Sequence, residues 1–185
     1  MSTLLEKLKK NSKLDLTAVL SDSKVFNKKD DIPTDVPMLN VALSGDLEHG
    51  LTSGLTVLAG PSKHFKTSFG LIMVASYLRQ YPEAVVLFYD SEFGSPLDYW
   101  KTFGIDTDRV MHSPIRNIEE LKFDLMNQLS NIEKGEKIMI FIDSVGNLAS
   151  KKEVEDALNE KSVADMTRAK AFKSLFRMEI GKSTR

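Results

Sequence analysis

The chain is 185 residues long, 42% apolar and 28% charged, which is enough length and apolar content for one folded core with room for an appendage. It holds no cysteine, so disulfides and thiolate metal sites are excluded. Its formal net charge of −1 excludes a broadly basic surface that would attract nucleic acid by charge alone, though a local loop can still hold a phosphate chain with a few lysines and backbone amides. His49, His64 and His112 stand far apart with no ligand spacing, which speaks against a zinc site. No apolar run approaches the roughly 18 residues that span a bilayer, and "MSTLLEKLKK" carries charges where an export signal needs an apolar stretch. The expectation is a cytoplasmic protein, in whatever cell makes or hosts it, with no membrane partner.

In chain order, residues 2 to 20 predict one or two short helices, with Leu4, Leu5 and Leu8 on one side and Thr3-x-x-Glu6 as a capping box; residues 1–23 form a helical amino-terminal segment. Residues 24–37 are polar, contain Pro33 and Pro37, and predict a linker. Its one apolar pair, Val25 and Phe26, either tucks against its own domain or anchors a neighbouring subunit. From residue 38 a βα alternation sets in. "LTVLA" (55–59) predicts a short buried strand and "KTSFGLIMVASYLRQ" a helix with Phe69, Ile72, Met73 and Tyr77 on its apolar stripe. "AVVLFYD" (84–90) predicts a second strand, continuously apolar as in a parallel sheet covered on both faces. Asn117-x-x-Glu120 opens a helix with Ile118, Leu121, Leu125, Met126, Leu129 and Ile132 in period, and "KIMIFID" (137–143) is a third strand that ends on an aspartate. The segment from 151 to about 178 is charged at its start and amphipathic later. Strands alternating with helices predict an open α/β sheet with its site at the carboxyl ends of the strands.

Between the first predicted strand and its helix lies "GPSKHFKT", Gly60 to Thr67. It has the spacing of a phosphate-binding loop, except that Phe65 stands where the second glycine belongs. Backbone amides and the positive end of the following helix bind anions whatever the side chains are. Phosphate binding is therefore expected to survive, provided Phe65 adopts a backbone shape that glycine would have taken freely. Lys66 would meet the β- and γ-phosphates, and Thr67 would place its hydroxyl on Mg²⁺. Asp143, at the carboxyl end of an apolar strand, either holds the Mg²⁺ shell or caps a turn. In "YDSEF", one of the two acids Asp90 and Glu92 could polarise an attacking water at the strand's end; a solvated strand end is the alternative.

Taken together, "GPSKHFKT", "LFYDSEFG", "YWKTFGID" and "IFIDSVGNLAS" resemble, in order and nearly ungapped, the ATPase core of RecA-type recombinases. Phage members of that family are nearest, and the resemblance makes the phenylalanine of the phosphate loop a family trait. It implies a P-loop RecA-like core over 38–178, with a mostly parallel sheet and with ATP and Mg²⁺ as cofactors. The nucleotide contacts it implies are Gly60, Pro61, Ser62, Lys63, His64, Phe65, Lys66, Thr67 and Ser68, with Tyr99 stacked on adenine. Lys66 and Glu92 become catalytic, Thr67 and Asp143 become metal ligands, and Ser144 helps the Mg²⁺ shell. Lys151 to Asp165 falls where such proteins have their first DNA-binding loop, although its composition alone reads as a solvated helix start. Val25 and Phe26 fall near the place where protomers dock.

After "KSLFR" the likeness stops, and residues 179–185 read as a tail foreign to the family. A partial core is therefore expected, with strand edges and apolar helix faces left uncovered and a marginal stability. The function implied is that of an ATP-dependent DNA recombinase acting in homologous recombination and repair. It would bind single-stranded DNA, weakly or not at all in this form, and self-assemble into a filament. The alternative is a deficient nucleotide- or subunit-binding module that caps filaments of full-length recombinase protomers. A hexameric helicase shares the core layout but has no helicase motif visible here.

Overall fold

The computed structural model describes residues 3–15, 17–23, 31–133, 135–159 and 169–174. Helix α1 (Leu4–Asn11) starts as its sequence predicts: the Thr3 hydroxyl accepts from the Glu6 amide at 3.3 Å, and the Glu6 carboxylate accepts from the Thr3 amide at 2.8 Å. The reciprocal pair satisfies two amides that the first turn leaves without partners. Leu4, Leu5 and Leu8 remain exposed. Val25 and Phe26 lie outside the described residues, as do 160–165 and the 179–185 tail.

The segment expected to be a linker up to residue 37 carries ordered elements of its own. A two-residue strand β1 (Asp31–Ile32) pairs antiparallel with β2 (Leu51–Thr52), and helix α2 (Pro37–Ser44) lies between them. Pro37 fits a first helical turn, where its missing N–H is no loss. Buried Asn40 ties the unit together: its Oδ1 accepts from the Thr34 amide and hydroxyl at 2.8 and 2.7 Å, and its Nδ2 donates to the Leu47 carbonyl at 2.9 Å. Ile32, Leu39 and Leu51 then pack against Met73 of the long helix α3 (Lys66–Gln80).

The main sheet has three parallel strands in the order β4-β3-β5: β3 (Val85–Asp90), β4 (Val110–Pro114) and β5 (Ile138–Asp143). The chain runs from β3 through helix α4 (Leu97–Thr102) to β4, then through α5 (Ile118–Ser130) past β3 to β5. That reversal opens the crevice between the carboxyl ends of β3 and β5 where open α/β sheets bind ligands. The two-residue period sorts the side chains into two cores. Val86 and Phe88 face Leu71, Val74 and Leu78 of α3 together with Trp100 and Ile105, whereas Leu87 and Tyr89 face Ile118, Leu121 and Leu125 of α5 together with Leu148. Helices lie on both faces, which is why β3 and β5 read as nearly unbroken apolar runs.

Two expectations change here. Residues 55–59 form no strand, and Leu55 and Val57 stay 55% and 65% exposed. A strand exists only through its hydrogen-bonded neighbour, and among the described residues 55–59 have none. Of the stripe Phe69, Ile72, Met73 and Tyr77, only Met73 is fully buried. Helix α3 turns Gly70, Leu71, Val74 and Leu78 to the interior instead, because it serves both the sheet and the β1–β2 unit and its buried arc is wide.

Two contacts fix where α3 lies, and therefore where its amino end points. At its carboxyl end the Arg109 guanidinium donates to the Leu78 carbonyl at 3.0 Å and to the Ala84 carbonyl at 2.8 and 3.0 Å, so a cation covers a carbonyl the helix leaves open and ties that end to the residue before β3. In its first half Gly70 lies against β5: a Cβ there would meet the Phe141 ring at 2.5 Å. That ring cannot swing away, since it stacks on Phe88 at 5.5 Å and meets Trp100 edge-on at 5.9 Å. Helix propensity alone would make Gly70→Ala stabilising. We expect the reverse, a loss of about 1–3 kcal/mol from overpacking, measured as a lower denaturant midpoint with an unchanged m value.

Candidate functional site

The loop that precedes α3 is built on strained residues. Lys63 and Phe65 have φ of 64° and 57°, in the left-handed region that glycine enters freely. Phe65 is the residue before the first helical turn and offers no side-chain cap. Its ring is 73% exposed, so the benzyl group points away from the loop interior while the backbone takes the shape a glycine would. The first amides of α3 are thereby left unpaired at the positive end of a 15-residue helix. Lys66 reaches back across the loop and donates from Nζ to the Pro61 carbonyl at 2.7 Å, and His64 Nδ1 lies 2.8 Å from the Ser62 carbonyl.

Thr67 carries the central contact. Its hydroxyl donates to Asp143 Oδ2 at 2.8 Å, joining the first turn of α3 to the carboxyl end of β5. Burial pushes the Asp143 carboxyl above its ordinary range; the Thr67 hydrogen bond and the Lys66 charge pull it back, while Glu92 and Asp90 add to the upward push. The charges of Glu92 and Asp90 are thus felt at Asp143, where a cation would relieve the repulsion. Hydroxyl and carboxylate oxygens are the hard donors that Mg²⁺ takes, with phosphate and water oxygens completing its octahedron. No cluster of three or more His, Asp or Glu side chains arranged to hold a metal by itself occurs among the described residues.

The end of β3 separates its two acids. Strand geometry stops at Asp90, so the strand's two-residue period, which would have put both acids on one face, does not reach Glu92. Asp90 is 4% exposed and works as a backbone clamp: its Oδ1 accepts from the amides of Glu92 and Phe93 at 3.0 and 2.7 Å, and its Oδ2 lies 3.2 Å from His112 Nε2. Glu92 is left at the surface of the crevice. There its Oε1 accepts from the Ser144 hydroxyl at 2.6 Å and from Asn147 Nδ2 at 2.9 Å. Ser91 closes the seam between the strand ends, its hydroxyl donating to the Ser144 carbonyl at 2.7 Å.

Among the residues singled out in the sequence, the structure joins Thr67 to Asp143, Glu92 to Ser144, and Ser68 to Tyr99, whose oxygens are 2.6 Å apart. The Tyr99 ring packs edge-on against Phe103 at 5.2 Å and against the α3 core, so its hydroxyl is the part that reaches the loop. Sequence reasoning gives Asn147 and Ser91 no role, and it weighs His112 only as a zinc ligand. Ser91 could have been suspected as the residue between two acids at a strand end; Asn147 and His112 reach the site only through strand order. No helix among the described residues is long and apolar enough to cross a membrane.

Residues 2–182 match the RecA N-terminal domain family. The chain is 60% identical over 178 residues to the recombination and repair protein of Enterobacteria phage T4, covering 96% of this chain and 46% of that protein. It is 33% identical over 133 residues to the protein RecA of Kineococcus radiotolerans, covering 71% of this chain and 36% of that one. Identity to the protein RecA of Streptomyces rimosus is 32% over 133 residues, covering 71% and 33%. The chain spans about half the length of the phage relative and about a third of the bacterial ones.

Phe65→Gly removes a left-handed penalty of about 1–2 kcal/mol and adds unfolded-state entropy worth about 0.5–1 kcal/mol. The expected net is a gain of about 1 kcal/mol, visible as a higher unfolding midpoint.

Proposed function

Since the chain belongs to the RecA N-terminal domain family, we propose that it binds ATP and Mg²⁺ at the Gly60–Thr67 loop and hydrolyses ATP in a DNA-dependent manner, as part of an ATP-dependent recombinase for homologous recombination and repair. The observation that carries this reading is the 2.8 Å hydrogen bond from Thr67 to Asp143, with the Glu92 carboxylate facing the same crevice. It brings a loop hydroxyl, a strand-end acid and a candidate base into one place, the set that phosphoryl transfer to water needs.

In this reading the loop amides and the α3 amino end hold the phosphates, and the Lys66 ammonium exchanges the Pro61 carbonyl for phosphate oxygen. Thr67 and Asp143 would hold a Mg²⁺, which when bound would supply positive charge against the phosphates. Glu92 takes a proton from the attacking water as the bond from that oxygen to the γ-phosphorus forms and the bond to the β–γ bridging oxygen breaks, releasing ADP and phosphate. Tyr99, tied through its hydroxyl to Ser68, stacks on the adenine in this reading. The charged segment from Lys151 supplies the first contact with single-stranded DNA, and ATP-bound protomers assemble along that strand as a filament that exchanges it into a duplex.

The test is ATP hydrolysis with and without single-stranded DNA, in the parent chain and in Lys66→Ala. The expected result is stimulation by DNA and a loss of about 10²–10³-fold in the variant, the range for removing one preorganised donor from a transition state. Hydrolysis that ignores Lys66→Ala would place the chemistry elsewhere, and hydrolysis indifferent to DNA would remove the recombinase reading.

A further inference from the structure

Glu92 sits in an exposed segment after β3, where a carboxylate on three rotatable bonds would ordinarily sample many orientations. Here it does not stand alone. Its Oε1 accepts two hydrogen bonds, from Ser144 Oγ at 2.6 Å and Asn147 Nδ2 at 2.9 Å, while Oε2 accepts none among the described residues. One oxygen is held and the other is left to meet a water.

The donors come from a connection that is itself fixed. The Ser144 amide donates to Ser91 Oγ at 3.0 Å, and Leu148 is buried in the α5 core. The Ile118 amide donates to the Ala149 carbonyl at 3.1 Å, making an isolated bridge between the α5 start and this connection. At the next residue, Ser150 and Glu153 exchange bonds between hydroxyl, carboxylate and amides at 3.0 and 2.8 Å, and the Lys151 amide donates to Glu119 at 3.0 Å. From there α6 (Lys151–Leu158) begins. Asn147 is therefore presented by a backbone anchored on both sides, although its own side chain is exposed.

We propose that Asn147 is a positioning residue for Glu92: its amide fixes the carboxylate rotamer that takes the proton from water, and it links that rotamer to the connection between β5 and α6. The proposal rests on the reading of Glu92 as the catalytic carboxylate. Ser144 alone cannot set the rotamer, because a single hydroxyl bond leaves the carboxylate free to turn about it; a second donor from a different direction defines its plane.

Single-turnover ATP hydrolysis by the full chain with single-stranded DNA, in Asn147→Ala, Asn147→Gln, Glu92→Gln and Asn147→Ala/Glu92→Gln, tests it. Asn147→Ala is expected to slow hydrolysis about tenfold, a share of the roughly 10²–10⁴-fold that a positioned base supplies, with ATP affinity changed less than about twofold and an unchanged melting temperature. Asn147→Gln keeps the donor and should recover most of the rate. In the Glu92→Gln background Asn147→Ala should add almost nothing, since the two act as one unit. An unchanged rate in Asn147→Ala, or the same loss with and without Glu92, overturns the positioning role. A parent chain with no hydrolysis, or a Glu92→Gln variant as fast as the parent, overturns the reading of Glu92 and the proposal with it, a result distinct from the others.

Discussion

The hydrogen bond between Thr67 and Asp143 joins residues 76 positions apart, and the arrangement of the site follows from what that bond requires. The first turn of α3 must lie within a hydroxyl's reach of the end of β5. That in turn requires the helix to approach the strand closely, which the absence of a side chain at Gly70 permits against a Phe141 ring held by Phe88 and Trp100. Arg109 sets the other end of the same helix. The loop before α3 is thus aimed by packing some distance away from any phosphate, and its two left-handed residues are the conformational cost of that aim.

Electrostatics explains why the crevice suits a cation and a polyanion together. Asp90, Glu92 and Asp143 stand at neighbouring strand ends, and burial already holds the Asp143 carboxyl above its usual range. Opposite them lie the Lys66 ammonium and the unpaired amides of a helix start. Under the proposed function the acids divide the labour: Asp90 spends its oxygens on the turn that carries Glu92, which leaves Glu92 and Asp143 for chemistry. Two acids two residues apart acquire different work because one is buried against backbone amides and the other is not.

Much of this was legible in the sequence. The capping box of α1, the extent of α3, the Asn117 cap of α5 and the strands β3 and β5 follow from residue types and their periods. So does the spacing that puts Lys66 and Thr67 at the helix start. Strand β4 was not legible: "VMHSP" is short, only partly apolar, and owes its place to the neighbouring β3. Residues 55–59 show the opposite failure, an apolar run with strand character but no partner among the described residues, since pairing is a property of the whole sheet. The shift in the buried face of α3 has the same origin, because periodicity locates an apolar arc without telling how many neighbours will share it. Contacts such as Asn147 with Glu92 depend on β5 lying beside β3, and no local pattern encodes that adjacency.

The central claim is that Thr67 and Asp143 together form a cation position at the phosphate loop. Calorimetric titration with ATP, in the presence and absence of Mg²⁺, of the parent chain and of Asp143→Asn tests it most directly. The account predicts that Mg²⁺ strengthens ATP binding at least about tenfold in the parent and has almost no effect in Asp143→Asn, which keeps the size and one acceptor of the carboxylate but loses its charge. An equal strengthening by Mg²⁺ in both chains would contradict it.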